Sequence, residues 1–167
     1  MDRMLIEAVF KKQIKNALDL GCGSGTQTVP LALLAARIDL VDLNPRPQNI
    51  PHFDNIHYTQ ADLENYEIRN KYDLIVLRCA LHFLKDPIAF LKKITQSVNV
   101  GGLIYIVTFG RGDIVYRKSL TYLSNDEIIG ALAPLSLLKF EEAIAKENHQ
   151  PLGEHTHEMV YMVFKGK

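Results

Sequence analysis

Residues 17–45 read ALDLGCGSGTQTVPLALLAARIDLVDLNP: a short apolar run, a glycine cluster, a stretch of helical spacing, a second apolar run, and an acid. Gly21, Gly23 and Gly25 follow the first apolar run, Ala17–Leu20, where a strand must turn tightly and where a missing Cβ lets a ligand approach the peptide plane. Asp42 closes the second run, Ile38–Asp42, at the place where a carboxylate can accept hydrogen bonds from ribose hydroxyls. A glycine turn between strand and helix, followed by an acid at the end of the next strand, points to a nucleotide-type ligand. The helix after such a turn, read over Thr26–Arg37, would offer N–H groups at its start, and Pro30 fits it only near its first turn.

The spacing separates two cofactor classes. A dinucleotide fingerprint is G-x-G-x-x-G, but Thr26 stands where its third glycine belongs and Gly25 comes one residue early, so this turn is G-x-G-x-G. Asp19 sits two residues before Gly21, where its charge would repel a pyrophosphate and attract an ammonium group. Both features favour a cofactor with an amino-acid end over a nicotinamide dinucleotide, and no Tyr-x-x-x-Lys pattern supports an oxidoreductase.

At 167 residues the chain is the right length for one domain, 1–167, with a sizeable core. Its 19 basic and 19 acidic residues cancel, so nothing global suggests a grip on nucleic acid or on an anionic membrane. No apolar run reaches membrane-spanning length, and the N-terminus, with Asp2 and Glu7 among its bases, lacks a signal-peptide pattern. A cytoplasmic location is the expectation. Cys22 and Cys79 lie far apart with no C-x-x-C partner, which argues for buried thiols and against a disulfide framework or structural zinc.

Strands are expected at Ala17–Leu20, Ile38–Asp42, Asn55–Gln60, Tyr72–Leu77, Leu103–Phe109, Leu137–Ala143 and Met159–Lys165. Helical spacing recurs at Pro87–Val98, with Asp86 as N-cap, and at Asn125–Ala133, where Ser124 and Glu127 make a capping box. The alternation is that of an α/β chain, whose ligands bind beyond the carboxyl ends of the strands.

The motifs Leu18-Asp19-Leu20-Gly21-Cys22-Gly23-Ser24-Gly25, Val41-Asp42-Leu43-Asn44-Pro45 and Gln60-Ala61-Asp62-Leu63 stand in the order found in the class I S-adenosylmethionine-dependent methyltransferases, which this sequence resembles from about Leu18 to Phe109. YDLIVLRCALHFLKDP and NVGGLIYIV resemble that family's fourth strand with its loop and the start of its fifth. The resemblance implies a Rossmann-like three-layer sandwich whose seven-stranded, mostly parallel sheet has an antiparallel last strand. It also implies S-adenosylmethionine as cofactor, with Asp19 at the methionine amino group, Asp42 on the ribose, Leu43 against adenine and Asp62 on the adenine amino group. Gly21, Cys22, Gly23, Gly25, Asn44, Ala61 and Leu63 complete the expected lining. A looser likeness is to the tellurite-resistance-type methyltransferases, although only sixteen residues precede Ala17 where those enzymes carry a segment over the ligand.

Acceptor chemistry is less legible. The loop after the fourth strand reads Leu77-Arg78-Cys79-Ala80-Leu81-His82 and lacks the Pro-Pro-Tyr pattern of nucleobase and glutamine methylation, which leaves a small molecule such as an oxyanion, a thiolate or a soft chalcogen. Arg78 is placed to meet an acidic group of a ligand or to cap a helix; His82 is a base or a packed imidazole. His155 and His157 share a face if Gly153–Glu158 is already a strand, and they are read as acceptor-side residues in preference to a metal pair completed by His149 or Glu154. Arg111, Asp113 and Tyr116, after the fifth strand, are further candidates for substrate contact. A catalytically silent, cofactor-binding subunit that works through protein contacts is the alternative from another functional class.

Overall fold

The structure, a computed structural model, describes residues 2–10, 12–25, 28–113, 121–149 and 153–167. Helix α1 (Arg3–Val9) is followed by β1 (Ile14–Leu20), α2 (Thr28–Ala32), β2 (Ala35–Asp42), β3 (Ile56–Gln60) and β4 (Tyr72–Arg78). A 3-10 turn (Leu81–Phe83), α3 (Pro87–Thr95), β5 (Val98–Phe109), α4 (Asn125–Ala131), β6 (Ser136–His149) and β7 (Gly153–Lys165) complete the order.

The seven strands form one sheet in the order β3-β2-β1-β4-β5-β7-β6. Strands β1 to β5 pair in parallel, and β7 runs antiparallel between β5 and β6. The chain reverses its direction of travel across the sheet between β1 and β4, and there the loops after the two strands splay apart and leave a crevice.

Alternation along the central strands feeds two cores. Ile75 and Leu77 of β4 face α3 and α4, where Phe90, Leu91, Ile94, Ile128 and Ala131 close over them. Leu74 and Val76 face the other side, covered by Met4, Leu5 and Val9 of α1 and by Leu31 and Ala32 of α2. Each such fully buried aliphatic side chain is worth roughly 1.5–3 kcal/mol relative to exposure, so both faces must be covered and three layers result.

Local chemistry sets several boundaries. The Asp86 carboxylate accepts from Ala89 N–H (2.9 Å), with Pro87 opening α3. Both halves of the Ser124–Glu127 capping box form at the start of α4. The expected helix over Thr26–Arg37 is reduced to Thr28–Ala32, with residues 26–27, including Thr26, outside the described set. Ala35–Arg37 belong to β2 because β1 extends back to Ile14 and pairs it with Ala35. Helix α1 was not anticipated; its signal is the apolar spacing Met4-Leu5-Ala8-Val9.

The largest departure concerns the last two strands. They run 14 and 13 residues, well past the expected Leu137–Ala143 and Met159–Lys165. Only Met159–Lys165 of β7 pairs with β5, so Gly153–Glu158 and their partners Ile144–His149 form a two-stranded arm beyond the sheet. Polar residues tolerate that position, and the apolar alternation used to find strands fades there. No helix among the described residues is long and apolar enough to cross a membrane.

Candidate functional site

The crevice at the reversal point is a cleft of about 620 Å³, within the range of small-ligand sites. Its floor is the glycine turn. Gly21, Gly23 and Gly25 all have positive φ, at 70°, 50° and 77°. At Gly21 a Cβ would stand 2.8 Å from the Cβ of Ala80, whereas at Gly23 it would meet nothing within 4 Å. The first glycine therefore fits the turn against β4's loop, and the second keeps the backbone open.

Four amides of this turn are already engaged. Gly21 and Cys22 N–H donate to the Val41 carbonyl (2.8 and 3.3 Å), Gly23 N–H to Asp42 Oδ2 (2.8 Å), and Gly25 N–H to the Cys22 carbonyl (2.9 Å). A pyrophosphate cradle needs such amides for its oxygens, and these four are not offered to one. It binds itself to the end of β2 instead. The helix N-terminus expected to offer further donors is a five-residue segment, far shorter than the sequence suggested.

Three carboxylates cross the cleft from successive strand ends. Asp19 of β1 is 3% exposed, Asp42 of β2 is 8% exposed, and Asp62 follows β3. With neighbouring strands about 4.8 Å apart, the row spans roughly 10 Å. Asp42 Oδ1 accepts from the Asn44 N–H (2.9 Å) and the Asn44 side-chain amide (3.0 Å). Asp62 Oδ1 accepts from Glu64 N–H (3.0 Å), an Asx-type turn that fixes the carboxylate. Leu43, 66% exposed, stands at the rim, and Leu63 is buried beneath.

Of the residues singled out in the sequence, Asp19, Gly21, Cys22, Gly23, Asp42, Leu43, Asn44, Asp62, Leu63 and Arg78 line the cleft; Gly25 and Ala61 are not in its lining. Sequence reasoning missed Ser24, Cys79, Ala80, Phe83 and Leu84 on the wall. Cys79 was legible only as a buried thiol, yet it is the one non-glycine residue of positive φ (52°) among those described, and such backbone strain gathers at ligand sites. Burial pushes the Cys79 thiol up to about 11 and the Cys22 thiol higher still, so both remain protonated and neither is an activated nucleophile.

Arg78 is the one cation lining the cleft among the described residues, and its Nε donates to Asp2 at 3.4 Å. The three histidines lie outside the lining. His82 is 5% exposed, tilted against Phe83 (ring centroids 4.0 Å) and edge-on to Phe109 (5.0 Å). Burial holds its imidazole down at about 4, against a smaller opposing pull from Asp113. His155 and His157 stand on the β6–β7 arm; the His157 ring meets Phe109 at 5.1 Å, so a chain of rings joins the arm to the cleft wall at Phe83. Arg111 is exposed, Asp113 is buried against His157 (3.0 Å), and Tyr116 lies outside the described residues.

A family model described as "Methyltransferase domain" matches residues 2–157. The chain belongs to that family. Malonyl-[acyl-carrier protein] O-methyltransferase 1 of Ilyobacter polytropus is 26% identical to this methyltransferase domain over 152 residues, 87% of this chain and 53% of that protein. Nodulation protein S of Sinorhizobium fredii is 28% identical over 144 residues, 83% of this chain and 67% of the relative. The chain thus spans little more than half the length of the first of these. Among solved structures, TehB of Haemophilus influenzae superposes with a TM-score of 0.80 at 22% identity, covering 100% of this chain and 63% of that one. The N-methyltransferase NodS of Bradyrhizobium japonicum, in complex with S-adenosyl-L-homocysteine, superposes at 0.76 with 20% identity, covering 98% and 84%. These likenesses establish the Rossmann-like methyltransferase fold, with its sheet parallel except for the last strand.

Proposed function

We propose that this chain binds S-adenosylmethionine in the cleft and transfers its methyl group to a small-molecule acceptor. The observation that carries the reading is the row Asp19, Asp42, Asp62 beside a turn whose amides are already engaged. Three acceptors in line suit a ligand with a cation at one end, a diol in the middle and a planar donor at the other, and they repel a pyrophosphate. Asp19 meets the ammonium group, Asp42 the ribose, and Asp62 the adenine amino group, with Leu43 and Leu63 against the ring.

When bound, the cofactor supplies an already activated methyl group on its sulfonium. The chain then has to orient the two partners and exclude water, and orientation alone is worth on the order of 7–11 kcal/mol. The buried Ala80 and Leu84 and the exposed ring of Phe83 form the apolar wall for that task. Neither thiol in the lining is activated, and its carboxylates serve the cofactor end. The acceptor therefore arrives as an electron-rich atom, an oxyanion, thiolate or soft chalcogen, with Arg78 drawing an anionic group toward the cleft.

Calorimetry with S-adenosylhomocysteine and with NAD tests the cofactor. Tight binding of the first and none of the second is expected, and the reverse overturns the reading. Methyl transfer over a panel of small anionic and chalcogen acceptors then separates an enzyme from a silent cofactor-binding subunit.

A further inference from the structure

The β6–β7 arm carries a cluster that the cofactor cleft does not use. His155 and His157 are two apart on β7 and share a face; Glu147 lies directly across the ladder from His155, and the small Ala145 is opposite His157. One ligand atom from each of Glu147, His155 and His157 fits within 4.8 Å, the one such group of three among the described residues.

The ring orientations are the telling feature. His155 Nδ1 is 2.8 Å from the Gly153 carbonyl, and His157 Nδ1 is 3.0 and 3.1 Å from the two oxygens of Asp113. A carbonyl and a carboxylate accept, so each Nδ1 carries a hydrogen and each ring turns its Nε2 toward the other. Those two Nε2 atoms face each other at 3.0 Å, with a Glu147 oxygen 3.8 Å from that of His157. A contact of that length is closed either by a proton on one Nε2 or by a metal ion held by both.

The geometry points to a site for one divalent transition-metal cation of the zinc type, held by Glu147, His155 and His157. With zinc–nitrogen bonds of about 2.05 Å, nitrogens at the observed separation subtend roughly 94° at a shared ion, and opening them by about 0.3 Å gives the tetrahedral angle. The outer partners are those that metal-bound imidazoles use, a carboxylate behind His157 and a backbone carbonyl behind His155. Two imidazoles and one carboxylate select zinc, cobalt or nickel over magnesium or calcium, which take oxygen ligands. The three ligands among the described residues are one short of the four that zinc takes, and Glu147 stands on the exposed edge.

The site is independent of the cofactor assignment, and its test needs no turnover. Chelator-treated full-length protein is titrated with cobalt(II) chloride, followed by visible absorption and by calorimetry, then back-titrated with zinc. One equivalent is expected, with ligand-field bands of a four-coordinate ion and displacement by zinc. Asp113→Asn should weaken binding by about 10–100-fold, and His155→Ala and Glu147→Ala, which each remove a ligand atom, by more. His155 is half-buried and Glu147 exposed, so both variants retain the fold even if a change at buried His157 does not. Absence of saturable binding at one equivalent, affinity unchanged in His155→Ala and Glu147→Ala, or a thiolate charge-transfer band from Cys22 or Cys79 would overturn the proposal. A proton shared between the two Nε2 atoms, detected by nitrogen-15 resonances that do not respond to zinc, would overturn it equally.

Discussion

Replacing Asp42 with Asn or Ala separates a structural debt from a binding one. In the folded chain Asp42 holds three donors: Gly23 N–H on Oδ2, and the backbone and side-chain N–H groups of Asn44 on Oδ1. A carboxylate offers about four lone-pair sites, so one on Oδ2 remains for a ligand hydroxyl. Asp42→Ala strands the Gly23 and Asn44 amides beside a buried position, and hydrogen bonds to a charged group are worth roughly 1.5–3 kcal/mol each. Some relief by water leaves an expected loss of about 2–4 kcal/mol, or a melting midpoint lower by about 4–16 °C in a domain of this size. Asp42→Asn keeps an oxygen for the Asn44 donors and loses the anionic acceptor toward Gly23 and the ligand, so its stability cost is expected to be the smaller. One charge-assisted bond to a ribose hydroxyl is worth the same 1.5–3 kcal/mol, which predicts S-adenosylhomocysteine affinity about 10- to 150-fold lower in Asp42→Asn. Calorimetric titration well below the variant's melting midpoint measures it. A folded Asp42→Asn protein that binds within twofold of the parent would refute the placement of ribose on this carboxylate.

The two glycines of the turn should respond differently. Gly21→Ala drives a Cβ to 2.8 Å from Ala80 at positive φ and is expected to cost about 2–5 kcal/mol, read by urea unfolding. Gly23→Val has room around its Cβ, so it is expected to cost about 1–3 kcal/mol of strain while nearly abolishing S-adenosylhomocysteine binding. His82 carries a pH signature: its folded imidazole is held at about 4, below the ordinary 6.5, so the unfolded chain takes the proton first. Its contribution to stability is complete above pH 6.5 and is lost as pH falls toward 4, in all about 3 kcal/mol. Urea midpoints measured from pH 7.5 to 4 should show that slope, and His82→Phe should be shallower by that amount; parallel profiles would count against it. Ser124→Ala removes the hydroxyl half of the capping box on α4, leaving the Ser124 backbone N–H on Glu127, and should cost about 1 kcal/mol, or 2–4 °C in thermal unfolding, with cofactor affinity unchanged.

The glycine turn, the acids at the ends of β1 and β2 and the two helix caps were legible in the sequence because each is a local device; Asp62, after β3, was implied by the family resemblance. A tight turn demands glycine, a strand end places its acid by period, and a cap is set within four residues. The succession of strands along the chain and their burial on both faces followed from the apolar runs for the same reason, whereas the sheet with its antiparallel last strand was what the family resemblance implied. Helix length after the turn was not local: Ala35–Arg37 joined β2 because a strand fifteen or more residues earlier offered them a ladder. Cys79 and Phe83 entered the cleft wall through the fold of the β4 loop, which no spacing encodes. The histidines show the division most sharply. Their two-residue spacing announced a shared face, but two decisive partners came from other segments: Glu147 from the facing strand and Asp113 from the loop after β5. Periodicity reports which way a side chain points relative to its own backbone; what waits there is decided by the strand and the loop that the fold lays against it.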